Sequence, residues 1–138
     1  MPELTRELRI IGLLGMTILL LASICLATIE NYSLVIQWLL ISALLWGLVW
    51  QQSAKRLQDN RESVNDALYP SLGWANRLTI LRGFLIALCA GFLWQSFNHT
   101  LLLWLPAFFY SVAAILDRVD GFVARKTQQT SLMGNALD

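Results

Sequence analysis

Charge is scarce in this chain of 138 residues. Only 14% of them are Asp, Glu, Lys or Arg, against ~25% in an ordinary soluble domain, while apolar residues reach 57%. Three stretches carry no charge at all: 20 residues between Arg9 and Glu30, 24 between Glu30 and Lys55, and 34 between Arg82 and Asp117. Such a chain is excluded from the soluble globular class. The net charge of +1 gives no sign of a nucleic-acid partner. Cysteine is equally sparse, with only Cys25 and Cys89. They lie in separate apolar stretches and read as small buried apolar side chains, not as a disulfide framework. The chain has no internal repeat and no low-complexity segment.

What remains is the composition of a membrane protein. A membrane helix needs roughly 17–25 mostly apolar residues, and four spans are predicted near residues 10–29, 34–52, 78–96 and 101–120. The expected fold is therefore all-α, a polytopic membrane helix bundle with four transmembrane helices. A cleaved signal peptide is not expected. The leader carries Glu3 and Glu7 beside Arg6 and Arg9, and the apolar run exceeds the ~7–15 residues of a signal core. Turns are expected near residues 30–33 and 95–100. Of the six Trp, Trp50, Trp74 and Trp94 fall near span ends and read as interface anchors.

The ten Lys and Arg residues divide into two before the first span, five from Lys55 to Arg82, and three from Arg118 to Lys126. None falls in the two turns that would lie on the other side. The positive-inside rule then puts the N-terminus and the segment after Asp117 in the cytoplasm, in an integral membrane protein, with a bacterial inner membrane as the expected location. Residues 51–66 are polar and free of Gly and Pro, so a helical cytoplasmic extension of the second span is expected there, ending before Tyr69 and Pro70. That break divides the chain into an accessory N-terminal pair of helices, 1–70, and a second unit, 71–138.

The most informative residues follow the last apolar run. Asp117, Asp120, Gly121, Ala124, Arg125, Gly134 and Asp138 form the spacing D-x-x-D-G-x-x-A-R-x8-G-x3-D. Ionisable groups so close to a membrane span are expensive and by default functional. At ~100° per residue, Asp117, Asp120, Gly121, Ala124 and Arg125 share one side of a helix, while Phe122 and Val123 face away. Two carboxylates on one face repel unless cations or protons intervene, and hard divalent ions such as Mg²⁺, Mn²⁺ or Ca²⁺ suit oxygen donors. Gly121 and Ala124 leave room for a planar base or a ribose, and Arg125 can donate to phosphate or sugar oxygens. Upstream, Asn76, Thr79 and Arg82 fall near one helical face, as substrate contacts or as interface anchors.

This spacing resembles the signature of the CDP-alcohol phosphatidyltransferases, and Asn76-x-x-Thr79-x-x-Arg82 resembles the element that opens the first core helix in many of them. The resemblance implies a phospholipid-biosynthetic transferase that exchanges the CMP of a CDP-linked lipid, such as CDP-diacylglycerol, for an alcohol acceptor. It casts Asp117, Asp120 and Asp138 as metal-binding carboxylates and Gly121, Ala124, Arg125 and Gly134 as the nucleotide-binding set. A homodimer is a further candidate assembly. The signature's last aspartate, the family's general base, falls four residues past Asp138 and is not among these 138 residues. The second unit is thus expected to be an incomplete core, and the chain as given to be inactive. Two alternatives stand beside this reading: a non-catalytic membrane-interaction remnant of the same family, and an intramembrane prenyltransferase, which also holds a diphosphate through aspartates and Mg²⁺.

Overall fold

Five α-helices follow one another in the computed structural model: α1 (Pro2–Leu26), α2 (Tyr32–Lys55), α3 (Gly73–Ala90), α4 (Thr100–Lys126) and the short α5 (Leu132–Leu137). The structure describes residues 2–93, 95–126 and 131–137, with the backbone only of Gly121, Ala124, Arg125 and Asn135. No strand occurs among the described residues. Among the described residues three helices are long and apolar enough to cross a membrane: α1, α2 and the Thr100–Asp120 part of α4. The remaining predicted span, 78–96, corresponds to α3, which has 18 residues, carries Arg77 and Arg82, and ends at Ala90.

The helices pack in chain order, α1 on α2, α2 on α3 and α3 on α4, with α5 set against α3 and the end of α2. The α1–α2 seam depends on small residues. A Cβ on Gly12 would stand 2.6 Å from the Trp50 indole, and one on Gly15 would stand 2.4 Å from that of Trp46. With no side chain there, each ring comes close enough for its N–H to donate to α1: Trp46 to the Gly12 carbonyl at 3.1 Å and Trp50 to the Leu8 carbonyl at 3.2 Å. Small residues that let helices approach are the usual basis of packing in a bilayer, where apolar burial gives little net drive. Trp38 and Trp46 are fully buried, and Trp46 stacks edge-on against Phe84 of α3 at 5.0 Å. Trp50, expected as an interface anchor, also makes an interhelical contact. Trp74 is exposed, and Trp94 lies outside the described residues.

Three expectations are corrected. The leader is not separate from the first span: residues 2–9 are the first turns of α1, with Leu4 and Leu8 buried. Nor does the second span continue as a helix through residue 66. It stops at Lys55, passes through a 3-10 turn (Leu57–Asp59) and becomes irregular. Asn60 anchors the irregular segment that follows. Fully buried, it donates to the Ser71 carbonyl at 2.8 Å and accepts from Asn76 at 2.9 Å, while its own carbonyl accepts from Tyr69 N at 2.8 Å. The loop closes on Gly73, whose φ of 75° is a backbone state that glycine adopts without strain. Cys25 is also exposed and not buried, while Cys89 is half-buried; both are free.

The expected turn near residues 30–33 is present at residues 27–31, and Asn31 caps α2 by accepting from Ser33 N at 3.1 Å. Glu30 in this turn is buried and accepts from the backbone N–H groups of Asn98 and His99 at 2.9 and 2.8 Å. These amides precede α4, where a carboxylate both satisfies orphan donors and complements the helix dipole. The 27–31 turn and the 91–99 loop thus meet at one end of the bundle. At the other end Glu7 of α1 accepts from Leu72 N at 3.1 Å and pairs with Arg77, whose Nε donates to it at 2.7 Å. Contacts therefore cross the 70/71 boundary at both ends.

Candidate functional site

The end of the bundle opposite Glu30 gathers the start of α1, the end of α2, the start of α3, the end of α4, and α5. Polar side chains of α3 face α4 and α5 there at helical spacing. Asn76 and Thr79 are buried, and the Arg82 side chain is only 11% exposed. Burial at that level demands partners for each, and the structure supplies them from residues far away in sequence.

The Thr79 hydroxyl lies 3.1 Å from both Asp120 Oδ2 and the Ala75 carbonyl of its own helix, two acceptors that share its single proton. Arg82 Nη1 pairs with Asp117 Oδ1 and stands 3.7 Å from Asp120 Oδ2. Its Nη2 donates to the Leu137 carbonyl of α5 at 3.5 Å. The two carboxylates differ sharply in environment: the Asp117 side chain is 60% exposed, the Asp120 side chain 3%. One helical turn separates them, which is enough to put Asp120 in the α3–α4 contact and leave Asp117 at its edge.

Asn76 lies deeper in the α3–α5 contact. Its amide donates to Asn60 and to the Leu72 carbonyl, at 2.9 and 2.8 Å, and its oxygen accepts from Ser131 at 3.1 Å. Ser131 in turn accepts from Gly134 N at 3.0 Å. A Cβ on Gly134 would come within 2.8 Å of the Asn76 oxygen, so glycine at this position lets α5 settle on α3.

Of the residues singled out by sequence, the structure brings together Thr79, Arg82, Asp117 and Asp120 in one cluster, and Asn76 with Gly134 in a second. Both clusters are built on α3. Gly121, Ala124 and Arg125 lie on the last turns of α4, with no side-chain description, and Asp138 lies outside the described residues. Phe122 is 58% exposed, in keeping with its place on the opposite face. Asn60, Ser131 and Glu7 were not anticipated. An isolated Asn, Ser or Glu has no periodic or spacing signature, and only the meeting of distant segments shows what it holds.

The donor set suits a divalent cation in part. Asp117 Oδ1 and Asp120 Oδ2 both approach the Arg82 guanidinium at Nη1, so that cation stands between them here; both are hard oxygen donors of the type Mg²⁺ and Mn²⁺ prefer. Among the described residues no group of three or more His, Cys, Asp or Glu side chains converges. The third expected carboxylate, Asp138, is not one of them.

Residues 72–138 match the family model described as CDP-alcohol phosphatidyltransferase. Neither a curated protein nor a solved structure matches the chain.

Proposed function

Since residues 72–138 match the CDP-alcohol phosphatidyltransferase family model, we propose that the polar cluster belongs to a site that transfers a phosphatidyl group from a CDP-linked lipid, CDP-diacylglycerol, to an alcohol. The observation that carries this reading is the meeting of Thr79 and Arg82 with Asp117 and Asp120. Two motif elements about forty residues apart in sequence form one polar cluster at one end of the bundle.

In this reading the alcohol oxygen forms a bond to the phosphorus that carries the diacylglycerol. The bond from that phosphorus to the oxygen of CMP breaks, CMP leaves with the electron pair, and the alcohol loses its proton. Asp117 and Asp120, with Asp138, would hold a divalent cation, Mg²⁺ or Mn²⁺ with Ca²⁺ as a further candidate, which when bound supplies charge to the diphosphate. Thr79 and Arg82 keep the two carboxylates aimed at one place. Gly121, Ala124 and Gly134 leave space for the nucleotide, and Arg125 donates to its phosphate or sugar oxygens. The family's proton acceptor is the aspartate that follows Asp138 in the signature.

The same reading makes residues 71–138 the opening of the catalytic core and residues 1–70 a brace against it. The contacts of Glu7 with Leu72 and Arg77 support this role for α1. It includes α3 as a fourth membrane span. It sets the polar cluster on the cytoplasmic side of a membrane, a bacterial inner membrane, because all ten basic residues fall outside the two turns joined by Glu30. A homodimer forms no part of it.

The test is reconstitution in lipid with CDP-diacylglycerol, Mg²⁺ or Mn²⁺ and a panel of alcohols, using a chain that also carries the signature's last aspartate. CMP release is measured. Turnover that vanishes with chelator and with Asp117→Asn supports the reading; turnover unchanged by both removes it.

A further inference from the structure

Asn60 precedes residues 72–138, the segment that matches the family model, yet it is connected to a helix at the far end of that segment. The hydrogen bonds run in one direction. Gly134 N donates to Ser131 Oγ at 3.0 Å, and Ser131 Oγ donates to Asn76 Oδ1 at 3.1 Å. Asn76 Nδ2 donates to Asn60 Oδ1 at 2.9 Å, and Asn60 Nδ2 donates to the Ser71 carbonyl at 2.8 Å. Asn60, Asn76 and Ser131 are all buried, so a lost bond leaves a polar atom with no bulk water to replace its partner.

The direction matters because an amide presents an oxygen on one side and an NH₂ on the other. Asn60 turned over would set its oxygen against the Ser71 carbonyl and its NH₂ against that of Asn76. Asn76 turned over would set its oxygen against two acceptors, Asn60 Oδ1 and the Leu72 carbonyl, to which its NH₂ also donates at 2.8 Å. Asn76 therefore offers its oxygen to Ser131 because Asn60 and Leu72 hold its NH₂. With its proton committed to Asn76, Ser131 keeps a lone pair for Gly134 N and caps α5.

The same loop supports α5 directly. Leu132 N donates to the Arg61 carbonyl at 2.9 Å, and Leu57 and Met133 are buried where the 3-10 turn meets α5. At its other end the Leu137 carbonyl accepts from Arg82. A helix of six residues is too short to hold its shape alone, so these attachments set its direction.

We infer that Asn60 is a positioning residue of the transferase site: through Asn76 and Ser131 it fixes the start of α5, and so the direction from which Gly134 and Asp138, the residue after Leu137, reach the site. This deepens the proposed function and rests on it for the role of Asp138 toward the cation. The N-terminal pair and its loop thereby shape the site itself, beyond the support that Glu7 gives to the start of α3.

Two measurements test this. The first is amide hydrogen exchange by mass spectrometry on the 138-residue chain in nanodiscs, which needs no turnover. Asn60→Ala is expected to speed exchange in residues 131–137 roughly tenfold, the effect of losing about one hydrogen bond, with α1, α2 and α4 unchanged. Ser131→Ala leaves the Asn60–Asn76 pair in place and is expected to release α5 in the same way without altering residues 57–72; it decides the matter should Asn60→Ala fail to fold. The second is CMP release by the chain that also carries the signature's last aspartate. Either variant is expected to raise the Mg²⁺ concentration for half-maximal release roughly tenfold, as when outer support of a metal ligand is lost, with most of the rate regained at saturating Mg²⁺. A smaller folded fraction would lower the rate at every Mg²⁺ concentration and leave that midpoint in place. Asn65→Ala, exposed in the same loop, is expected to change neither measurement. Unchanged exchange in α5, faster exchange along the whole chain, or an unmoved Mg²⁺ midpoint overturns the proposal. No CMP release from the unsubstituted longer chain counts against the transferase function instead, and the exchange of α5 then still decides whether Asn60 holds it.

Discussion

Thr79 donates to Asp120 across 41 residues of chain, at 3.1 Å, with both residues buried. This bond ties the element that opens α3 to the second carboxylate of α4, and it makes Thr79 a positioning residue for that carboxylate. A hydrogen bond to a charged group contributes about 1.5–3 kcal/mol. Thr79→Val keeps the shape and removes the donor, so CMP release in the active form should fall by roughly tenfold to a hundredfold. Thr79→Ser should restore most of it. Full activity in Thr79→Val would mean that Asp120 needs no such support.

Asp117 and Asp120 should separate when folding and activity are measured side by side. Both Asn variants are expected to abolish transfer. Asp117→Asn removes a largely exposed partner of Arg82, a loss that solvent screens, and should destabilise by no more than about 1 kcal/mol in thermal unfolding in detergent. Asp120→Asn removes a buried carboxylate and the acceptor of the Thr79 hydroxyl, and should destabilise by about 1–3 kcal/mol. Equal unfolding temperatures for the two variants would contradict the burial difference described here.

Glycine in α1 gives a test of packing alone. Gly15→Ala places a methyl group 2.4 Å from the Trp46 ring, and overpacking of that kind costs about 1–3 kcal/mol. Gly47→Ala on α2 meets nothing within 4 Å and should be neutral or slightly stabilising, as expected for Gly→Ala in a helix. Comparison of the two by thermal unfolding separates a close approach of helices from propensity.

The topology can be read chemically. With Cys25 and Cys89 replaced by Ser or Ala, single cysteines at Ser33 and Asn98 should react with a membrane-impermeant reagent from the same, outer side. The meeting of Glu30 with Asn98 requires a common side, and under the proposed orientation it is the outer one. Labelling of both from the cytoplasmic side would invert the orientation; labelling from opposite sides would contradict the Glu30 contact itself.

Only part of this site could be read without the fold. A motif declares itself where its residues are neighbours in one helix, so the spacing from Asp117 to Arg125 and the helical face it defines were legible. Phe122 lies on the exposed face as that spacing requires. Asn60 shows the opposite case. It sits in a polar stretch that reads as helix, yet it lies in an irregular segment where its amide bonds to Ser71 and Asn76. No local pattern announces those partners.

The sequence by itself determined the helical class, the apolar stretches, the asymmetry of basic residues and the family motif. These follow from composition and from spacing along single helices, where chemistry and period are written in neighbouring residues. Only the tertiary structure decided that Trp46 and Trp50 bond to α1, that Glu7 and Glu30 tie the N-terminal pair to the second unit at opposite ends, and that Asp120 is buried while Asp117 is not. Those outcomes depend on which distant backbones approach closely enough to exchange hydrogen bonds, a matter of packing between helices on which residue order within each helix is silent.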